Sequence, residues 1–312
     1  MSPLLAGLAL DLVLGDPAGW PHPVRWIGWV ISKGQSFILA RRFSPGAESL
    51  TGLALWVIIV AGVWAAAFGL LAGLAALWPP LAWIVGAIMA WTCLSLKDLT
   101  KHARSVLDFL VQGDLTSARR AIGLIVGRQT ASLDQTGVAR AGLETLAESL
   151  CDGVIAPLFY LLLGGPALGL AYKAVNTLDS MLGYRYPPFT HLGRWPARLD
   201  DLANFVPARL TFLFLVAAAA LARENPRQAW RVGLAEHGRS ASPNAGWPEA
   251  AMAGALDVSL LGPAVYFGHR QEKPFINQTG RPPGPAELKR GLNLIWLAGL
   301  LAYLLAALIT AA

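Results

Sequence analysis

The chain has 312 residues, of which 55% are hydrophobic and only 14% are charged. Soluble domains carry about 25% charged residues, so this composition excludes an ordinary soluble protein and indicates an integral membrane protein. The net charge of +6 suits basic cytoplasmic loops and anionic substrates. The basic residues form no compact cluster with interleaved aromatics along the sequence, so we expect no nucleic-acid partner. The first basic residue is Arg25, so we expect no secretory signal peptide.

Long charge-free windows predict the membrane helices, because a spanning helix needs roughly 20 apolar residues. The window between Glu48 and Lys97 can hold two spans, with "WPP" at 78–80 as the turn. We therefore predict an all-α, polytopic integral membrane protein, a single domain over 1–312 with about four to six membrane helices and polar helical loops. The predicted apolar segments are about 50–78, 81–96, 153–172, 205–222 and 291–312.

All 25 Lys and Arg residues lie in four polar stretches between the apolar windows. If all four stretches are cytoplasmic, the segment 153–172 must be a re-entrant hairpin with its tip at "GGP", 164–166. Such a hairpin must be covered by protein. The sequence leaves this topology and the oligomeric state open. Cys93 and Cys151 match no metal-binding spacing and are expected to be inert thiols.

The stretch "GDPAGWPHPVRWIG", 15–28, contains three prolines, which fix φ and favour extended geometry in the residues before them. We predict a stiff strut at the membrane surface, with Trp20 and Trp26 as interfacial anchors. It would hold three polar side chains at fixed separations: Asp16, His22 and Arg25. The alternative is a plain connector with interfacial tryptophans.

Glu144, Glu148 and Asp152 are spaced i, i+4, i+8 and should form one helical stripe. Carboxylate oxygens in a row can hold Mg²⁺ together with substrate phosphates. The alternative is a solvated helix face on which Arg140 pairs with Glu144.

Two further polar groups adjoin apolar segments. Lys173 and Asp179 follow an apolar run, where ionisable groups are functional candidates, although Lys173 could instead be an interfacial anchor. Asp200 and Asp201 form an acid pair that could bind a divalent ion. The alternative for that pair is a helix N-cap.

The stretch "HGRSASPNAGWPEAAMAGAL", 237–256, is a loop that leads into a small-residue helix. Backbone N–H groups at a helix start can bind phosphate, but a simple turn explains the spacing equally well. The polar side chains of interest are Arg239, Ser242, Asn244 and Glu249.

Five blocks, in order over residues about 7–270, resemble the signature blocks of the adenosylcobinamide-phosphate synthase family of cobalamin biosynthesis. They are "LDLVLGDPAGWPHPVRWIG", "LETLAESLCDGVIAPLFY", "NTLDSMLGYR", "ARLDDLANFVPARLT" and "SPNAGWPEAAMAGAL". The chain departs from the family pattern at Gln129, where an acid is expected, and at Ser149, where an asparagine is expected.

The resemblance implies an ATP-dependent ligase that joins adenosylcobyric acid to (R)-1-amino-2-propanol O-2-phosphate, giving adenosylcobinamide phosphate. It implies ATP and Mg²⁺ as cofactors, the lipid bilayer as surroundings, and a multi-pass protein of the cell (inner) membrane with a cytoplasmic active site. Amide formation needs an activated carboxylate, most simply an acyl phosphate, and such chemistry is mainly positioning and charge neutralisation.

With that function, the candidate residues take three roles. The catalytic candidates are Asp16, His22, Glu148 and Asp179. The substrate- or phosphate-binding candidates are Arg25, Lys173, Arg209, Arg239, Ser242 and Asn244. The metal candidates are Glu144, Glu148, Asp152, Asp200, Asp201 and Glu249.

Two other functions compete with this interpretation. The sequence "DDLAN" beside an apolar segment is similar to the acid-rich motifs of membrane prenyl- and phosphatidyl-transferases, but no second acid-rich site of that spacing is found. A transporter of a corrinoid or small metabolite would be expected to show related halves with broken helices. The two halves of this chain look unlike each other.

Overall fold

The computed structural model describes residues 2–17, 19–41, 43–184, 186–266 and 269–311. In these residues the chain forms thirteen α-helices and four short strands, which confirms the predicted all-α class. The helices are α1 Pro3–Leu14, α2 Pro23–Leu39, α3 Pro45–Leu77, α4 Pro79–Cys93, α5 Leu96–Val111, α6 Leu115–Gly123, α7 Gln135–Leu150, α8 Ala156–Leu182, α9 Arg194–Ala203, α10 Phe205–Leu221, α11 Pro226–Glu236, α12 Gly246–Leu256 and α13 Pro285–Ala311. The strands are β1 Leu260–Leu261, β2 Ala264–Tyr266, β3 His269–Gln271 and β4 Phe275–Ile276.

Within that described part, four helical stretches are long and apolar enough to cross a membrane, and a bent pair could provide a fifth. The four are Pro45–Leu77, Pro79–Val111, Gln135–Leu182 and Pro285–Ala311, and the bent pair is Arg194–Ala203 with Phe205–Leu221. Each of the five predicted apolar segments overlaps one of these stretches. The turn predicted at "WPP" is also confirmed: Trp78 ends α3 and precedes α4, with Pro at the first positions of α4. Proline suits that place because the first helical N–H has no intrahelical partner.

By the packing of its Cα atoms the chain divides into two compact units. Unit 1 comprises Met1–Ser95, Ala156–Asn204 and Ala306–Ala312, and unit 2 comprises Leu96–Ile155 and Phe205–Leu305. Neither cysteine forms a disulfide among the described residues, and both are buried, Cys93 in unit 1 and Cys151 in unit 2.

Unit 1 packs α1 against α4, and α2 and α3 against α8. Its buried apolar cluster includes Ile31, Leu178 and Leu192. Close approach of the backbones depends on Gly7, where an added Cβ would lie 2.8 Å from the Cβ of Ala90. A larger residue at position 7 would therefore separate α1 from α4.

Helix α8 contains the predicted hairpin. The backbone leaves helical geometry at Gly164 and Gly165, and Gly165 has φ +67°, which an L side chain rarely adopts. Tyr160 and Tyr172 stack with ring centroids 4.9 Å apart, although a straight helix would separate them by about 18 Å. The two arms of α8 therefore fold back on each other, and the apolar stretch reverses direction at "GGP".

Unit 2 combines α5, α6, α7, α10, α11 and α12 with most of α13. Helices α11 and α12 pack closely: a Cβ on Gly254 would lie 2.3 Å from the carbonyl oxygen of Gln228. Between α12 and α13 lie two short antiparallel ribbons, β1 with β4 and β2 with β3. The sequence pattern did not predict them, because strands of two or three residues are too short to show alternation.

Candidate functional site

A cluster of three acidic residues lies in unit 2. Glu144 on α7 is buried, and both of its oxygens are engaged. Oε2 accepts a hydrogen bond from the Arg128 guanidinium, and Oε1 accepts one from the backbone N–H of Leu261 at 2.7 Å. This carboxylate therefore joins α7, the segment before it and β1. Because Glu144 is buried, it does not lie on a solvated helix face. Arg140 is an electrostatic neighbour of Glu144, and its side chain donates to the Ser259 carbonyl at 3.2 Å.

Glu148 lies one turn further along α7. Its side chain is accessible to solvent yet closely surrounded by protein atoms. Its electrostatic neighbours are Glu144, Lys273 and Arg128. Glu148 is therefore a solvent-accessible carboxylate with both acidic and basic side chains as electrostatic neighbours.

Glu249, in the first turn of α12, completes the cluster and is 5% exposed. Burial raises the pKa of Glu249 well above the ordinary glutamate value, and the carboxylates of Glu148 and Glu144 raise it further. A hydrogen bond from Ser240 and the charge of Lys273 oppose this shift of the pKa. Among the described residues, Oε2 of Glu249 has no hydrogen-bond partner. A buried oxygen without a partner is costly and is a natural place for a ligand or an ion.

Asp152 lies just beyond α7. Helix α7 ends at Leu150, and Cys151–Ile155 form a π-helix that contains Asp152. Short π segments often occur at functional sites. The stripe of three carboxylates therefore stays a prediction, with Glu144 and Glu148 on α7 and Asp152 in the π turn that follows.

Hydrogen bonds involving polar side chains stabilise the loop before α12. Ser242 Oγ accepts hydrogen bonds at 3.2 Å from the backbone N–H groups of Asn244 and Ala245, and Asn244 is buried. Arg239 donates to the Phe275 carbonyl at 2.6 Å and pairs with Glu236 at 3.5 Å. The simple-turn alternative therefore accounts for Ser242.

Arg209, at the start of α10, is held by neighbours within unit 2. Its guanidinium donates to the Phe205 carbonyl and lies over the rings of Phe205 and Trp247, at 3.6 and 5.0 Å from the ring centroids. The ring of His237 also stacks on Trp247, with centroids 3.8 Å apart. Arg209 and Arg239 therefore belong to the same unit as the acid cluster, each already fixed by protein groups.

In unit 1, the N-terminal strut brings two of its three polar residues together. His22 Nε2 lies 3.6 Å from Asp16 Oδ2, and Trp91 Nε1 donates to the Gly15 carbonyl at 2.8 Å. His22 is also the N-cap of α2, where its Nδ1 accepts from the Val24 N–H at 3.3 Å. Because α2 begins at Pro23, Arg25 lies in the first helical turn, exposed, and is not part of the extended strut.

Lys173 and Asp179 lie in the second arm of α8, in unit 1. Lys173 is half-buried and near enough to interact electrostatically with Cys93. Asp179 lies beside Tyr184; burial raises the pKa of Tyr184, and the charge of Asp179 raises it further. An added Cβ on Gly183 would lie 1.9 Å from Asp179 Oδ1, so a glycine there leaves room for the carboxylate.

Asp200 and Asp201 lie within α9, not at a helix start, so the N-cap alternative is wrong. Asp200 is buried, and its Oδ2 accepts from Asn204 Nδ2 at 3.0 Å, while Asn204 Oδ1 accepts from the Tyr172 hydroxyl at 2.9 Å. Adjacent helical residues project about 100° apart, so the two acids do not present a common face. This network joins α9 to the second arm of the α8 hairpin.

Within the described ranges, no group of three or more His, Cys, Asp or Glu side chains could hold a metal ion. The six predicted metal candidates are divided between the two units, with Asp200 and Asp201 in unit 1 and the other four in unit 2. A magnesium ion bound mainly through substrate phosphates needs only one or two carboxylates. The acid cluster of unit 2 fits that simpler requirement, and the assignment of magnesium ligands stays a prediction.

Sequence reasoning missed Arg128 and Lys273, two cations that interact electrostatically with Glu148 of the acid cluster. Arg128 lies directly before Gln129, the first departure from the family pattern, and 16 residues before Glu144. Lys273 lies in the turn between β3 and β4, where no motif was found. Only the tertiary structure brings either charge to the carboxylates.

Comparisons with known proteins agree with the family resemblance of the five sequence blocks. Residues 4–295 match the family model described as "CobD/Cbib protein". The chain is 45% identical over 293 residues to the cobalamin biosynthesis protein CobD of Klebsiella pneumoniae, covering 94% of this chain and 92% of that protein. It is 43% identical to CbiB of Salmonella typhimurium (97% and 94% covered) and 44% identical to CobD of Photorhabdus laumondii (97% and 95%). No solved structure matches the chain. The chain therefore belongs to the CobD/CbiB family of cobalamin biosynthesis proteins.

Proposed function

We propose that this chain is an acid–amine ligase that joins a propionate carboxylate of adenosylcobyric acid to the amine of (R)-1-amino-2-propanol O-2-phosphate. The product is adenosylcobinamide phosphate. ATP would transfer its terminal phosphoryl group to the propionate and leave as ADP, and phosphate would leave when the amine attacks the acyl phosphate. Membership of a cobalamin biosynthesis family supports the corrinoid substrate. The observation that carries the proposal is the acid cluster of unit 2, with Lys273 and Arg128 beside it.

The cluster suits a reaction of phosphorylated and carboxylated reactants. Lys273 adds positive charge beside the carboxylates, which would favour a substrate phosphate there, and Arg128 holds the Glu144 carboxylate in place. Glu249 offers an oxygen that lacks a partner among the described residues, and with the phosphates it would hold Mg²⁺. When bound, the ion would neutralise charge on the phosphates.

The amine must lose a proton before it attacks the activated carboxylate. His22 is poorly prepared to take it, because Nδ1 already accepts the Val24 N–H and Nε2 faces Asp16. Proton uptake at Nδ1 would break the cap of α2. We therefore assign the proton to Glu148, the accessible carboxylate of the cluster. The Asp16–His22 pair would instead hold the N-terminal strut and the start of α2.

The proposed location is the inner cell membrane, with the site facing the cytoplasm, where ATP is available. Glu249 lies on α12, outside the candidate membrane spans, and Glu144 and Glu148 lie in the first part of the stretch Gln135–Leu182, before its charge-free segment begins. This placement supports access from water.

A deletion strain tests the proposal against a transporter. Cells that lack the protein should fail to make cobalamin from cobyric acid and should recover on cobinamide, because cobinamide enters after the missing bond has been formed. Equal growth on both precursors, with reduced uptake of both labelled corrinoids, would refute the ligase.

A purified assay tests the reaction itself. The protein in detergent is given adenosylcobyric acid, aminopropanol phosphate, ATP and Mg²⁺, and the product is measured by mass spectrometry. Product formation that is equally fast without ATP would contradict the ATP-dependent proposal.

A further inference from the structure

A second polar site lies in unit 2, formed by α5 and α13. A groove of about 700 Å³ is lined on α5 by Lys97, Lys101 and Arg104, and on α13 by Asn293 and Trp296. None of these residues belongs to the acid cluster, and no motif of the sequence includes them. The groove is therefore a separate candidate for binding.

Its charge is predominantly positive. Lys97, Lys101 and Arg104 are spaced i, i+4, i+7, so they follow one face of α5. One carboxylate, Asp108, lines the groove one turn beyond Arg104. Three cations against one acid favour an anionic ligand, and both Lys101 and Arg104 are exposed and can reach it.

The groove residues adjoin apolar segments in the sequence. The charge-free window that includes α4 ends at Lys97, and the final charge-free run begins at Gly291, directly before the groove residues of α13. Both helices belong to stretches that are long and apolar enough to span a membrane. Cations and a tryptophan at such a border are typical of the level of the lipid headgroups.

Apolar side chains line the groove together with the cations. Phe109, Leu292 and Trp296 contribute to the same lining. A free phosphate ion has no part that could occupy this surface, whereas a phospholipid presents glycerol and acyl groups next to its phosphate. The mixture of cations and apolar residues therefore favours the lipid.

We propose that this groove binds the phosphate headgroup of an anionic phospholipid. The cations of α5 contact the phosphate, and the aromatic and aliphatic residues contact the glycerol and upper acyl region. The proposal does not rest on the ligase function, since none of these residues has a role in it.

The test compares Lys101→Gln/Arg104→Gln with wild type in detergent. Both changed side chains are exposed, so the fold should be retained. The matched control is Arg120→Gln/Arg281→Gln, which removes two exposed cations of unit 2 outside the groove. Short-chain phosphatidylglycerol, phosphatidylcholine and inorganic phosphate are titrated separately, and native mass spectrometry and calorimetry give the dissociation constants.

We expect phosphatidylglycerol to bind wild type and control equally and to bind the groove variant about 25-fold more weakly, since each of the two cations contributes about fivefold in affinity near an anionic surface. Phosphatidylcholine and inorganic phosphate should bind wild type weakly. A charge-conserving variant, Lys101→Arg/Arg104→Lys, should retain binding and guards against misfolding. Unchanged phosphatidylglycerol affinity in the Gln variant would overturn the proposal. Inorganic phosphate binding as tightly as the lipid would also overturn the proposal, because that result would identify a site for free anions.

Discussion

The polar motifs of the two units are similar in composition but differ in how their side chains are used. In unit 1, Asp200 belongs to a hydrogen-bond chain with Asn204 and Tyr172, and His22 caps a helix. In unit 2, Glu148 is accessible, and Glu249 is buried with one oxygen that has no partner among the described residues. A polar group that is engaged by its own fold contributes to stability, whereas an accessible one is available for a ligand. The following experiments test this difference.

The largest effect should come from Glu148→Gln, which keeps the size of the side chain and removes its charge. If Glu148 takes the proton from the amine, product formation should fall by at least about 100-fold, the usual range for loss of a general base. The melting temperature should stay close to that of wild type, because the side chain is exposed. Glu48→Gln, in the first turn of α3, is the matched control and should keep full activity. Full activity of Glu148→Gln would remove the acid cluster from the proposed site.

The second effect concerns stability in unit 1. Asp200→Ala removes the acceptor of the Asn204 side chain in a buried place, so the free energy of unfolding should fall by about 1–3 kcal/mol. Thermal unfolding in detergent measures this change. Asp201→Ala, at a half-exposed position, is the comparison and should have a much smaller effect on stability. If both variants instead lost activity while stability stayed unchanged, the result would contradict a structural role and support Asp200 and Asp201 as metal ligands.

The third effect is a pH dependence of stability caused by Glu249. Its folded-state pKa is raised, so the folded protein binds the proton more tightly than the unfolded chain does. This contribution to stability is fully present below the unfolded pKa and is lost as pH rises toward the folded pKa, with a slope of at most about 1.4 kcal/mol per pH unit. Glu249→Gln should remove that slope. Melting temperatures in chelator-containing buffer from pH 5 upward provide the measurement, and an identical slope in both proteins would contradict the assignment.

The smallest effect should follow Tyr172→Phe, which deletes one hydroxyl. The hydrogen bond to Asn204 is lost while the ring can still stack on Tyr160, so stability should fall by about 0.5–1.5 kcal/mol. Catalysis should not change. Tyr303→Phe, on α13, controls for removal of a hydroxyl from another buried tyrosine. A change in activity larger than the change in stability would indicate that this network serves the reaction.

The membrane segments could be predicted because lipid imposes a simple rule on the sequence. A segment without charges and of sufficient length has few alternatives to a membrane helix, and the positions of α3, α4 and α13 followed from that. The interruptions between helical segments could also be predicted, because proline at the start of α4 and two glycines in α8 mark them in the local sequence. The hairpin at "GGP" remained one of two alternatives until the stacking of Tyr160 on Tyr172 decided it.

The sequence by itself thus determined the class of the protein, its apolar segments and its candidate acidic residues, since these depend on composition and local spacing. The tertiary structure decided which polar groups are available for chemistry. Glu144 is held by Arg128 and by the Leu261 N–H, which is 117 residues away, and Glu249 meets Lys273 from a turn between two strands. Such contacts leave no periodic pattern, because the free energy of pairing or burying a charge depends on neighbours that only the folded chain assembles.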